Sequence, residues 1–279
     1  MWRKAVSPTV QARLAHLDIP FNALGLDSFG VSKDHLGPFF TMLEGFYKLY
    51  FRVQVFGIDN VPNEGAGMLV SNHSGGLPAD GGMIVASMLL DHEPPRLVHG
   101  MVEKFAQNWP VVSPWFNKVG QLPGLPDNAM RILNAGRLLM VFPEGARGLG
   151  KLYRDRYQMT RFGTGFMRIA LKTGTPIIPT CFIGGEESMP TVFHARRLAK
   201  TVGAPYWPVT PYLAPVPLPL PCELHFGEPM QFDGTGNERD DVIEDYVAQV
   251  RRRIDEMIAK GRKLHGVLRA SRETGEARR

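Results

Sequence analysis

The chain has 279 residues, 44% of them hydrophobic and 21% charged, the balance of an ordinary globular protein with length for one large α/β domain. Its net charge of +5 suits an anionic partner such as a phospholipid surface, but the basic residues do not gather into long runs interleaved with aromatics, which argues against nucleic acid. Two cysteines, Cys181 and Cys222, give neither a disulfide framework nor metal-ligand spacing, and no apolar run reaches the roughly 18 residues of a spanning helix.

The N-terminal stretch MWRKAVSPTVQARLAH lacks the apolar core of a signal peptide, so a cytoplasmic chain is expected, with peripheral membrane attachment still open. Residues 1–34 are weakly patterned and turn-rich. Residues 38–53 predict a helix in which Glu44, Lys48 and Arg52 form one narrow polar stripe, while Phe39, Phe40, Met42, Leu43, Phe46, Tyr47, Leu49, Tyr50 and Phe51 surround it. Such a helix is buried in protein or lies in a lipid interface.

A regular alternation follows. Strands are predicted at 51–56, 67–72, 96–99, 137–142, 175–183 and 223–226. Helices are predicted at 80–90, at 128–135 with Asp127 as N-cap and Gly136 as terminator, and at 163–173. The segment 105–116 carries Phe105, Trp109, Trp115 and Phe116 between prolines, and suits either core packing or an apolar surface that meets lipid. Residues 205–221, rich in proline, read as a surface excursion. Residues 238–260 predict a long amphipathic helix with an arginine-rich outer face, followed by a basic tail.

Strands alternating with helices predict an α/β single domain with a central, mostly parallel sheet flanked by helices, plus an N-terminal apolar helical segment. The corresponding division is 1–50 as a membrane-proximal helical segment, 51–235 as the α/β domain, and 236–279 as the basic amphipathic helix and tail. In such folds the chemistry lies where strands run into loops at their carboxyl ends, which directs attention to residues 72–80 and 142–148.

In the first segment, His73 ends a strand and Asp80 begins a helix. Gly75 and Gly76 between them accept positive φ and let the loop fold back. A carboxylate on one imidazole nitrogen fixes the tautomer and leaves the other nitrogen as a base; on these residues alone, a satisfied polar histidine and a simple N-cap are the readier reading. No G-x-S-x-G elbow is present, and Ser74 is awkwardly adjacent to His73 for a nucleophile–base pair, so direct transfer to an acceptor hydroxyl suits the pair better than a serine triad. In the second segment, Pro143 ends a strand and Glu144 and Arg147 share a turn. There a carboxylate can bind hydroxyls and a guanidinium can bind phosphate, or the two form a surface ion pair.

Asn72-His73…Asp80 with Phe142-Pro143-Glu144-Gly145-Ala146-Arg147 resembles the phospholipid/glycerol acyltransferase (lysophospholipid acyltransferase) superfamily, with its His-x4-Asp and Phe-Pro-Glu-Gly-Thr-Arg motifs. Thr175-Pro176-Ile177-Ile178-Pro179 and Phe226-Gly227-Glu228-Pro229-Met230 are similar to two later motifs, so the resemblance runs over about residues 50–232. It implies a membrane-associated O-acyltransferase with His73 as base and Asp80 as its partner. Glu144, Gly145 and Arg147 would serve the acceptor site. Acyl-CoA or acyl-carrier protein would be co-substrate, with no metal or bound cofactor, at the inner face of an anionic membrane. The alternative is a lipid esterase or thioesterase in which the same pair activates water. Three departures stand out: six residues, not four, separate His73 from Asp80, as in the branch resembling monoacylglycerol acyltransferases; Ala146 replaces threonine; and Gly120–Pro126 lacks the arginine of the family's phosphate-binding motif. The last of these makes a neutral glyceride or another lysolipid an acceptor to weigh beside lysophosphatidic acid.

Overall fold

A computed structural model describes residues 6–102, 112–201 and 203–273; Phe105 and Trp109 lie outside them. The weakly patterned start contains a helix, α1 (Pro8–Ala15), whose N-cap Ser7 accepts from the Val10 amide while Pro8 occupies a first-turn position that needs no donor. The apolar segment forms α2 (Lys33–Glu44) and then widens into a π-type turn over Gly45–Tyr50. The predicted helix through residue 53 is therefore corrected. Lys48 still reaches Glu44 at 2.9 Å, but the wider turn breaks the helical register and Arg52 lies beyond it at φ +43. Leu36, Phe39, Phe40, Leu43 and Tyr47 are buried in the core, whereas Met42, Phe46 and Leu49 are exposed.

The strands are β1 (Gln54–Phe56), β2 (Gly67–Ser71), β3 (Val98–Val102), β4 (Gln121–Pro123), β5 (Leu138–Val141), β6 (Ile177–Ile183), the short ribbon β7 (Phe193–His194) with β8 (Pro208–Val209), and β9 (Glu223–Phe226). Between them run α3 (Ala79–Leu90), α4 (Val112–Lys118), α5 (Pro126–Asn134), the single turn α6 (Ala146–Leu149), α7 (Gly165–Thr173), the single turn α8 (Gly185–Ser188), α9 (Arg196–Thr201) and finally α10 (Asp240–Glu273). Asp127 is not a cap: α5 starts at Pro126 with Leu125 at the N-cap position, the fixed φ of proline opening the helix two residues earlier. The last helix runs well past the predicted residue 260, through Gly261, because its remaining residues include good helix formers.

Seven strands form one sheet in the order β1-β9-β6-β2-β5-β3-β4. Five run parallel, and β9 pairs antiparallel with β6 and parallel with β1. The mostly parallel expectation holds. Every residue of β2 and β6 is buried, as strands covered on both faces must be. Successive side chains point to opposite layers. Leu69, Ile178 and Phe182 pack with α2 and α3, while Met68, Val70, Ile177 and Cys181 pack with α5, α7 and α10. Trp115 meets Phe39 edge-on at 5.3 Å, so this aromatic of the 105–116 segment packs against the N-terminal helices. Among the described residues no helix is long and apolar enough to cross a membrane.

Candidate active site

The three central strands β6, β2 and β5 end side by side, and the loops that follow them meet. Asn72, just past β2, is fully buried and spans to β6: its Oδ1 accepts the Phe182 amide at 2.9 Å and its Nδ2 donates to the Phe182 carbonyl at 3.2 Å. The asparagine thus clamps the strand ends on either side of the loop that begins at the next residue.

His73 is that residue. Its Nδ1 lies 2.7 Å from Asp80 Oδ2, and its ring stacks on Phe142 with centroids 4.0 Å apart. The six-residue loop folds back through Gly75 at φ +85 and Gly76 at φ +67, so the longer spacing still delivers the carboxylate to the imidazole. Asp80 has no solvent exposure, and both its oxygens are engaged: Oδ2 also takes the Ser74 amide at 2.9 Å, and Oδ1 takes the Gly81 amide at 2.8 Å. A carboxylate held this way keeps a proton on Nδ1. His73 Nε2 has no hydrogen-bond partner among the described residues, and the residue keeps 8% of its surface open.

The second motif supports the first. Phe142 supplies the stacking face, and Glu144, with no side-chain exposure, accepts the His73 amide on Oε1 at 3.0 Å and the Thr160 amide on Oε2 at 2.6 Å. Gly145 sits at φ +59, ψ −155, a region open essentially to glycine alone. Arg147, on α6, is exposed and forms no ion pair among the described residues. Of the residues singled out by sequence, His73, Asp80 and Glu144 are thus in direct contact, Gly145 shapes the turn beside them, and Arg147 points to solvent.

Sequence reasoning missed a third loop packed against this motif, the one after β6. Glu186 there is buried, accepts the Tyr157 amide at 3.3 Å, and lies 3.8 Å from Lys151 Nζ; that ammonium is 3.5 Å from Glu144 Oε2. Burial pushes the Glu186 carboxyl up to about 7, against the pull of Lys151. Next to it, Tyr157 donates to Glu187 at 2.6 Å and accepts from the Gly184 amide at 2.9 Å. The carboxyl-end rule that pointed to β2 and β5 applies equally to β6 and would have found Glu186.

Residues 52–183 match the family model described as Acyltransferase. Over those residues the chain is similar to the acyltransferase family. The matched span contains His73, Asp80, Glu144 and Lys151, and ends at the last residue of β6. An uncharacterised Mycobacterium tuberculosis protein is 37% identical over 227 residues, covering 78% of this chain and 63% of that protein. A Mycobacterium leprae relative is 39% identical over 227 residues, 77% of this chain and 62% of its own length. The chain therefore spans less than two thirds of these mycobacterial relatives. A chicken protein named as a DGAT1/2-independent enzyme synthesizing storage lipids is 23% identical over 241 residues, 85% of this chain and 69% of that one. Among solved structures, the 1-acyl-sn-glycerophosphate acyltransferase PlsC of Thermotoga maritima matches with a TM-score of 0.53 at 18% identity over 81% of each chain, a likeness of fold. The acyltransferase fold and the observed seven-stranded sheet agree.

Proposed function

We propose that this chain is a membrane-associated O-acyltransferase that moves a fatty acyl group from acyl-CoA or acyl-carrier protein to the hydroxyl of a glycerolipid or lysophospholipid. The observation that carries the reading is the His73–Asp80 pair: an imidazole with Nδ1 bound to a buried carboxylate and Nε2 unengaged. Nε2 takes the proton of the acceptor hydroxyl, whose oxygen attacks the thioester carbonyl. The tetrahedral intermediate collapses with release of the thiolate, which recovers the proton from the imidazolium. Asp80 stabilises that imidazolium. No protein nucleophile and no acyl-enzyme are needed.

Gly145 and Arg147 lie on the loop beside the base, and the exposed Arg147 guanidinium suits a phosphate or a polar headgroup. The segment Gly120–Pro126 has no second cation to offer. That, with the storage-lipid name of the chicken relative, supports neutral glycerides as acceptors alongside lysophospholipids. Membrane association is supported by exposed apolar side chains at Met42, Phe46 and Leu49, with Val216 and Leu218 on a loop tied to the same turn by the Tyr50 hydroxyl donating to the Pro217 carbonyl at 2.6 Å. Lys48 and Arg52 stand beside them for anionic lipid.

The deciding experiment supplies labelled acyl-CoA and acyl-carrier protein with a panel of lysophospholipids and mono- and diacylglycerols in anionic vesicles. Wild type is expected to form a new acylated lipid and His73→Ala none. Free fatty acid as the main product, or full activity in His73→Ala, would overturn the reading.

A further inference from the structure

The dyad explains how the His73 ring is held but not what fixes its main chain. Glu144 does that by accepting the His73 amide on one oxygen, and it accepts the Thr160 amide on the other. Both oxygens of this buried side chain thus act as acceptors, as those of a carboxylate do. An ionised carboxylate without solvent needs a cation. Lys151 is that cation. Its side chain is 5% exposed, and its Nζ lies 3.5 Å from Glu144 Oε2 and 3.8 Å from Glu186 Oε1 without forming a hydrogen bond. Two carboxyls thus share one ammonium. Glu144 lies nearer the ammonium, while burial raises Glu186 to about 7 against the pull of Lys151. Glu187 presses on Glu186 from the same loop, and Asp255 and Arg251 of α10 face the cluster from the helix layer.

We propose that Lys151 is a positioning residue for acyl transfer: its ammonium holds the Glu144 carboxylate in place, and that carboxylate fixes the backbone of His73. The inference rests on the reading of His73 as the base. Lys151 lies outside the Phe142–Arg147 motif, and its effect reaches the reaction only through Glu144.

The test uses the full chain with Lys151→Met, read in two ways. Hydrogen exchange at the His73 amide is expected to speed up by about tenfold or more while amides of β3 stay unchanged. The turnover number is expected to fall by about tenfold or more, with KM for the acyl thioester moving less than about threefold. A merely structural lesion would speed exchange in β3 as well. Unchanged exchange at His73 and unchanged turnover in folded Lys151→Met would overturn the proposal.

If Lys151→Met does not fold, Glu186→Gln decides. The proposal expects wild-type exchange at His73 and turnover within about threefold, since the ammonium serves Glu144. A loss of about tenfold in folded Glu186→Gln would assign Lys151 to Glu186 instead and overturn it. Absence of transfer by wild type on every acceptor would remove the acyltransferase reading, while the exchange measurement would still decide the Lys151–Glu144–His73 link.

Discussion

Asp80→Asn tests the dyad with the smallest change of shape. Asp80 is fully buried and receives three donors: His73 Nδ1 and the Ser74 amide on Oδ2, and the Gly81 amide on Oδ1. An asparagine has one acceptor oxygen. If that oxygen replaces Oδ2, the new NH2 group faces the Gly81 amide. If it replaces Oδ1, the NH2 group faces the Ser74 amide and forces His73 to accept on Nδ1, which moves the ring proton to Nε2 and removes the base. Either orientation strands a buried donor, at a cost of about 1–3 kcal/mol in stability. Neither leaves a charge to stabilise the imidazolium. The equivalent exchange in a serine-protease triad lowers turnover by roughly 10⁴. A fall of about 10³-fold or more is expected here, equivalent to about 4 kcal/mol of transition-state stabilisation. The assay is steady-state transfer to the best acceptor of the panel, beside thermal unfolding to establish that the variant is folded. A folded Asp80→Asn retaining more than about a tenth of wild-type turnover would refute the reasoning, because general-base catalysis contributes about 10²–10⁴-fold.

Gly145→Ala places a side chain at φ +59, ψ −155 and should cost about 1–3 kcal/mol, seen as a lowered Tm, with transfer impaired because Glu144 and Arg147 flank the strained turn; an unchanged Tm would contradict this. His99, buried in β3, is held down to about 4, first by burial and then by Arg137. A depressed histidine contributes stability that is present in full above its unfolded value of 6.5 and is lost as pH falls through about 4, amounting to about 3 kcal/mol. Denaturant unfolding of wild type and His99→Gln at pH 7 and pH 4 checks it: the wild type should lose more stability than the variant, and equal losses would refute the assignment.

Much of the sheet was legible because buried strands announce themselves as short apolar runs between turn residues. Residues 223–226 fall where expected, and β2 ends one residue short of the expectation because Asn72 turns its side chain to Phe182. Helix α1 was missed although Ser7 and Pro8 are start signals, since its residues carry little apolar periodicity. The π-type turn after α2 leaves no trace in hydrophobic spacing, so Arg52 was read one turn too far. Pairing order is non-local and was not legible at all. In the site, His73 and Asp80 could be linked because two glycines separate them. Lys151 and Glu186 could not, because their approach depends on three loops converging at neighbouring strand ends.

The position of β9 bears on how the chain assembles as it is made. β1 lies at the sheet edge with β9 as its neighbour, so Gln54 pairs opposite Glu223. During synthesis the first strand emerges long before its partner exists. The β6-β2-β5-β3-β4 block can form meanwhile, with the dyad already inside it, while β1 remains an unmatched edge. A long-range closure of this kind is slow and leaves backbone groups open to wrong partners. The final strand thus acts as a late fastener, seating the first strand against a core that has already taken shape.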